Sequence, residues 1–505
     1  MPRVARSYDL GEAIRGTDFA ASEQPMTRRI HPMESALLVV VTAHLVFLPW
    51  ALGTMHVWSQ SIGFGFSVLS LGLALWPRNY RGIAGADPGS RLRMVPSLLR
   101  YPIFWLGGIF LLYTLIQGLN PAWEWTQTAS GGWLRGLSHL TWLPSGMRTP
   151  FTQSSPWRAL MIHGAAWMSV CAVWTGFSRR SALRVLLISL AVNGCVLAVL
   201  GLGQRALHAD RIFWFWKPPA AYFVSSFIYR NHAGAYFNLV LAITCAVAAW
   251  YYRRQVRQRE PSSPAVLFGL FAAIVTVAIL YSYSRAAALL MIGFLLCMIA
   301  GIARAALKAR RSGQSPLTTA FISVVFLAVV VLSLVSFRTE RMVERMRELE
   351  DNVHAGREYP RFVVARATWE MIKEQPVLGW GAGSWRFCFP GYQVRYPEIW
   401  ITPDSHRPQF FEHAHDDYLE LLSEYGIVAC GLLVAGWCWY CGQLIRLRVW
   451  RNAPAAILLM ACLVTMAHAA LDFPFYNPAI LTTWCCLWPI IIRWLEIERG
   501  AEQRP

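Results

Sequence analysis

Apolar residues along this chain fall in long unbroken runs, at 33–52, 57–76, 103–119, 157–175, 182–202, 232–252, 265–282, 286–303, 317–336, 417–445, 455–471 and 478–495. About 20 such residues wound as an α-helix cross the roughly 30 Å of hydrocarbon in a bilayer. The runs are continuous, whereas transmembrane strands are only about ten residues long and alternate, so helices are the reading that satisfies every backbone group in lipid. The pattern predicts an all-α integral membrane protein of about twelve transmembrane helices, with a loop and helix cap on its outer side.

The polar segments between the runs set the expected orientation. Arginines precede the first run at 3, 6, 15, 28 and 29, and basic clusters recur in alternate connections around residues 78–100, 179–184, 253–259, 304–311 and 446–451. With both termini cytoplasmic, every cluster lies inside, as the positive-inside rule requires. The first run follows about thirty polar residues and has no small-residue cleavage site after it, so it reads as a retained span and not a cleaved signal. The expected division is a cytoplasmic tail over 1–32, transmembrane helices over 33–336, a periplasmic loop domain over 337–416, further helices over 417–495 and a cytoplasmic tail over 496–505.

Composition agrees with this class. Apolar residues make up 55% of the chain and charged ones 15%, while the formal charge is +18. The positive charge is spread over many loops and forms no single stripe, so it points to anionic membrane lipids and excludes nucleic acid as a partner. Ten of the eleven cysteines fall in predicted spans and Cys388 is alone in an outer loop, which leaves no outer pair for a disulfide. Cys438 and Cys441, in "GWCWYCG", read as small buried hydrophobes on an apolar helix.

Three outer connections are long. That at 120–156 carries Trp123, Trp125, Trp133 and Trp142, and amphipathic rings of this kind are expected to lie at the headgroup level. The second, 203–231, contains "RIFWFWKPP" and "YRNHAGAY". The third, 337–416, predicts helices over Arg338–Asp351 and about Arg361–Lys373, the latter stopped by Pro376 and a turn containing Gly379, Gly381 and Gly383. These glycines make no dinucleotide fingerprint, because no βαβ unit surrounds them.

Threading the chain through the membrane brings Arg230, Arg285, His415 and Asp472 to the same outer face. Each has a blander reading. An arginine at a span end is a snorkelling anchor as readily as a ligand, His232 serves equally as a helix cap, Asp472 as a turn residue, and Arg361 and Arg366 as partners of Glu358 or Glu370. Glu412, His413 and His415 suggest a metal site, but i and i+2 histidines diverge on a helix and no third ligand has suitable spacing, so none is expected. Asp417, Glu420 and Glu424 recur at helical spacing after His415, where they either orient it or hold Arg285.

"EHAHDDYLELLSEYGIVACG", Glu412 to Gly431, resembles the signature of the O-antigen ligase and polymerase superfamily, a His followed by a small polar residue and a later Gly, here His415, Asp416 and Gly426. "YRNHAGAYFNL" from Tyr229, "YSRAAALL" from Tyr283, "RFVVARATWEMIKEQPVLGWGAGSW" from Arg361 and "LDFPFYNP" from Leu471 resemble further segments of that family, in its order. Ala286, Asp416 and Ala429 depart from the usual Gly, Asn and Gly.

The resemblance implies a glycosyltransferase of the inner membrane with a periplasmic active site. It would take an undecaprenyl-diphosphate-linked glycan as donor and a hydroxyl of lipid A core or another glycan as acceptor, with no cofactor and no metal. The residue types fit that reaction. Arg230 and Arg285 offer permanent guanidinium forks to the leaving diphosphate, and His415 is suited to accept the proton of the attacking hydroxyl, with inversion at the sugar carbon. Donor or acceptor binding is assigned to Arg361, His232, Asp416, Glu424 and Asp472. Ligase and polymerase share these motifs and differ in acceptor. A transporter is the rival class, but transporters place ionisable groups near the midplane on broken, repeated helices, and here they gather outside.

Overall fold

The computed structural model describes residues 30–79, 91–92, 94–128, 131–219, 222–258, 260, 262–311, 359–401 and 409–502. Eleven of the expected spans are helices: α1 (Pro32–Trp50), α2 (Val57–Leu75), α4 (Pro102–Leu119), α5 (Pro156–Gly176), α6 (Arg180–Ala206), α7 (Arg230–Gln258), α8 (Ala265–Tyr281), α9 (Arg285–Arg311), α11 (Asp417–Arg446), α12 (Ala453–Ala469) and α13 (Pro478–Glu502). The short α3 (Met94–Leu99) precedes α4, and α10 (Pro360–Glu374) is the expected helix before the glycine turn. Among the described residues nine helices are long and apolar enough to cross a membrane, and α8 and α12 are shorter apolar helices. The run at 317–336 and the helix expected over Arg338–Asp351 lie outside the described residues.

Helix starts follow local chemistry. The Ser155 hydroxyl accepts from Arg158 N at 3.2 Å with Pro156 in the first turn of α5, and Asn452 accepts from Ala455 N at 3.1 Å at the start of α12.

At the centre of the bundle stands α7, in which every residue from His232 to Val247 is buried. It is packed by α6, α8, α9, α12 and α13. A helix apolar on all sides belongs in such a position, and small residues let its neighbours close on it. A Cβ at Gly194 of α6 would lie 2.1 Å from a Val240 methyl, so this helix pair fits only with glycine there.

Far along the sequence, one end of the bundle is tied by a buried charge. Glu34, in the first turn of α1, accepts from the backbone nitrogens of Ser178 and Arg179 at 2.9 and 3.0 Å and from the Ser178 hydroxyl at 2.6 Å. Arg78, in the short ladder of β1 (Arg78–Asn79) with β2 (Arg91–Leu92), pairs with it at 3.3 Å, and both side chains are fully buried. An arginine that reads as a topology signal is thus also a structural counterion.

The helical class holds, and the Trp-rich connection adds a small sheet that the apolar pattern does not predict. It folds into a sheet of strand order β4-β3-β5, in which β3 (Pro121–Thr128) pairs antiparallel with β4 (Gly131–Gly136) and parallel with β5 (Gly146–Arg148). Trp123 and Trp125, two residues apart and so on one strand face, pack on a second core with Met147, Val364, Met371 and Trp385. Trp125 meets the Phe387 ring at 5.1 Å. This core joins the sheet to α10 and to the single turns Trp385–Cys388, Pro390–Gln393 and Pro397–Trp400, forming a cap. Trp133 and Trp142 remain exposed.

The span 417–445 is not one straight helix. Gly426 breaks α11 with φ 64° and ψ −177°, and the glycine turn after α10 fills the gap. Trp380 N and Gly381 N donate to Ser423 O and Glu424 O at 2.9 and 2.8 Å, and Ile427 N and Val428 N donate to Pro376 O and Val377 O at 2.9 and 3.3 Å. A Cβ on Gly426 would lie 2.3 Å from Val377 O, and one on Gly379 2.5 Å from Glu424 O. The stretch after the break, 427–446, is long enough at 1.5 Å per residue to span about 30 Å.

Gly426→Ala is expected to destabilise the protein by at least about 3 kcal/mol, through a strained φ and a backbone overlap. Gly431→Ala, in the same helix with open space at its Cβ, should be neutral or stabilising by up to about 1 kcal/mol. Thermal melting of both variants in detergent checks the contrast.

Candidate active site

Where the cap meets the bundle, four chain segments converge on Asp472. This residue lies in the turn between α12 and α13, where Leu471 N and Asp472 N both donate to His468 O at 2.9 Å. His415 immediately precedes the Asp416 cap of α11, and its φ of 56° is in the left-handed region, which costs a non-glycine residue on the order of 1 kcal/mol. That conformation directs His415 Nδ1 to Asp472 Oδ1 at 3.0 Å. The imidazole is 24% exposed and the carboxylate 2%.

The other oxygen of Asp472 accepts from Asn231 Nδ2, and Arg361 Nη2 lies 3.8 Å from it. Arg361 also donates to Leu471 O, so its partner is Asp472, while Glu370 is held by Arg395 and Tyr396. Burial disfavours the Asp472 charge, but the His415 hydrogen bond and the Arg361 cation outweigh it and hold the carboxyl down at about 2. Asp472 is therefore ionised near neutral pH and only accepts, which makes His415 Nδ1 the donor and leaves Nε2 as the basic atom of the neutral ring.

Phe473 is the apolar counterpart of Asp472. Its ring lies 5.1 Å from His415, 4.3 Å from His413, 5.0 Å from His232 and 5.2 Å from Tyr229. His232 is buried and shares a hydrogen bond with Phe473 O at 3.2 Å, so it joins the site through this residue.

The carboxylates of α11 neither orient His415 nor hold Arg285. Asp417 accepts from Phe475 N at 2.9 Å. Glu420 takes His413 Nδ1 at 2.8 Å and Ala414 N at 2.7 Å. Glu424 accepts from the Tyr476 hydroxyl at 2.9 Å and Trp385 N at 3.2 Å. Together they tie the His-containing segment, the closing turn and the cap to one helix face. Burial works against charge on His413, yet Glu420 more than compensates and raises its pKa above the ordinary value. Asp416 is a helix cap, accepting from Tyr418 N at 2.9 Å and Leu419 N at 3.1 Å.

Arg230 opens α7 beside Asn231, with its guanidinium 5.0 Å from the Tyr222 ring. Arg285 opens α9, and these two helix starts are pressed together. A Cβ at Gly234 would meet Ala287 Cβ at 2.6 Å, and Asn238 Nδ2 donates to Ala287 O at 2.9 Å. Among the described residues half-buried Arg285 has no ion pair or hydrogen bond and makes no contact with His415. Arg205, at the end of α6, lies 4.8 Å from the Tyr283 ring.

Direct contact thus unites His415, Asp472 and Arg361. His232 is one ring away, Arg230 is a chain neighbour of the site, Arg285 is on the adjoining helix, and Asp416 and Glu424 are engaged in structure. Sequence reasoning missed Tyr229, Asn231 and Phe473. All three flank singled-out residues in the same quoted segments, so the signal was their adjacency. Among the described residues no group of three or more His, Cys, Asp or Glu is arranged to hold a metal ion.

No curated protein matches the chain. The family model described as O-antigen ligase matches residues 268–434, a stretch from α8 to the part of α11 beyond Gly426 that includes Arg285, Arg361 and His415. Over these residues the chain is similar to the O-antigen ligase family, the one that its motifs resemble.

Proposed function

We propose that this protein transfers a glycan from an undecaprenyl diphosphate carrier to a hydroxyl of lipid A core or another surface glycan, at the periplasmic face of the inner membrane. The observation that carries the reading is the His415–Asp472 pair, a base held by an ionised carboxylate beside the starts of α7 and α9. The alternation of basic loops supports the orientation. A polymerase would use the same groups with another copy of the glycan as acceptor.

In the reaction, the acceptor hydroxyl gives its proton to His415 Nε2 as its oxygen bonds to the anomeric carbon. The bond from that carbon to the diphosphate oxygen breaks, and the electron pair leaves on the lipid diphosphate. One displacement inverts the sugar carbon. Asp472 fixes the tautomer and stabilises the imidazolium that forms, as a carboxylate does for a catalytic histidine. Arg285 and Arg230 receive the developing phosphate charge, aided by the positive ends of the helices they begin. Arg361, shared with Asp472, lies between base and donor as a positioning residue.

His415→Ala should lower turnover by about two to four orders of magnitude with donor binding nearly intact, the range for a lost general base. Asp472→Asn should lower turnover in the same manner. Arg285→Lys should fail because an ammonium lacks the planar fork, and Arg230→Ala should weaken both donor binding and rate. Separate measurements of donor binding and single-turnover transfer with folded variants test these roles, and normal transfer by all four would overturn the reading. Transfer should persist in excess EDTA. Loss of activity there, with recovery in Mg²⁺ or Mn²⁺, would make Glu412, Asp416 and Asp417 candidate ligands.

His413 should act on stability instead of rate. Because its pKa is raised in the fold, protonation stabilises the folded state, fully so below the ordinary value of 6.5 and progressively less as pH climbs through the folded value. Melting temperature should therefore fall as pH rises above about 6.5, and His413→Gln should flatten that dependence while retaining more transfer activity than His415→Ala.

A further inference from the structure

A chamber lies at the end of the bundle away from His415. From Arg230 to Arg253 the helix α7 advances 23 residues, about 35 Å at 1.5 Å per residue, so the chamber is separated from His415 by about the thickness of a membrane. Its volume is about 380 Å³, and it is enclosed by the start of α6, the last turns of α7, the start of α12 and the end of α13.

Five arginines line it, Arg180, Arg184, Arg253, Arg254 and Arg257, against one carboxylate, Glu498. That carboxylate is occupied by Arg180 at 3.5 Å and by Asn452, and Arg254 reaches Gln258 at 2.6 Å and Glu260 at 3.5 Å. Among the described residues Arg184, Arg253 and Arg257 have no ion pair or hydrogen bond. Arg184 is laid over the Trp250 ring at 4.7 Å, which fixes it at the chamber wall. Three cations without an ion pair or hydrogen bond among the described residues thus face one space of headgroup size, with Glu498 as the nearby counter-charge felt by Arg253.

The chamber does not end in polar walls. It shares Arg184, Trp250, Pro454 and Trp494 with a closed crevice of about 10 Å³ that is otherwise lined by the buried Leu187, Ala246, Val247 and Leu458. A free phosphate would meet only the arginines. A lipid with an anionic head would also lay its apolar part against the Trp250 and Trp494 rings, and basic pockets between transmembrane helices are suited to such heads.

We propose that an anionic phospholipid of the leaflet opposite the His415 site binds here. Its phosphate lies among Arg184, Arg253 and Arg257 and its apolar part rests against Trp250 and Trp494 at the chamber wall. Bound so, it bridges α6, α7, α12 and α13.

The test uses the full chain, purified in detergent and stripped of lipid. Thermal shift and native mass spectrometry are measured with phosphatidylglycerol, with phosphatidylcholine of the same chains, and with millimolar inorganic phosphate. Phosphatidylglycerol should be retained and raise the melting temperature, and the other two should not. Each near-surface arginine contributes on the order of fivefold, so R184Q/R253Q should weaken phosphatidylglycerol binding roughly 25-fold. R257Q, at an exposed position, should weaken it about fivefold, and stands in if the double variant does not fold. R304Q, at an exposed arginine outside the chamber, should leave lipid binding unchanged. Equal binding of phosphatidylcholine, an equal shift with phosphate, full retention by the arginine variants, or an R304Q effect as large as theirs would each overturn the proposal.

Discussion

A helix interrupted near a membrane surface leaves carbonyls and amides without partners, and those groups must be satisfied by another part of the protein. At Gly426 the partner is the glycine turn behind α10, joined to the broken helix by four backbone hydrogen bonds. Backbones can come this close only where Gly379 and Gly426 carry no Cβ. The cap is consequently fixed in register with α11, and everything mounted on the first turns of that helix inherits the same position. His415 can be aimed at a residue 57 positions later because the helix beside it is not free to slide.

The polar groups of the junction divide by task. Asp417, Glu420 and Glu424 accept from backbone and side-chain donors of the closing turn, the His-containing segment and the cap, so they behave as fasteners. Asp472 differs, because one of its oxygens is given to an imidazole that keeps some access to solvent. Phe473, next in the chain, walls that imidazole with an aromatic face and links it to the start of α7. The permanent cations Arg230 and Arg285 stand on neighbouring helix starts, on the side where backbone dipoles already favour an anion.

How much of this was legible in the sequence follows from the range of each interaction. Helices α1, α6 and α9 were legible because long continuous apolar runs admit one conformation in lipid. The placement of His415, Arg230, Arg285 and Asp472 at helix boundaries was legible, and a charge at a span boundary is costly without a purpose. The partners of Asp417 and Glu424 were not, since Phe475, Tyr476 and Trp385 come from other segments and leave no local periodicity. The sheet at 121–148 was missed for a different reason. Trp123 and Trp125 obey a strand alternation, but tryptophan near a membrane invites an interfacial reading, and the apolar surface that claims them belongs to a cap formed more than two hundred residues later. Asp416 was assigned to substrate although an Asp just before a helix is a strong capping signal.

The buried Glu34 imposes an order on biogenesis. Its first cationic partner, Arg78, is made 44 residues after it, and its hydroxyl and amide donors at Ser178 and Arg179 follow 144 and 145 residues after it. At a synthesis rate of about 5 to 20 residues per second, the interval to Arg179 is roughly 7 to 30 s. Throughout that interval α1 carries a carboxylate that lacks its Ser178 and Arg179 donors, so its first turn must stay hydrated until the α5–α6 connection emerges. Helix α1 is thus tied down only after three further membrane helices, α2, α4 and α5, have been made.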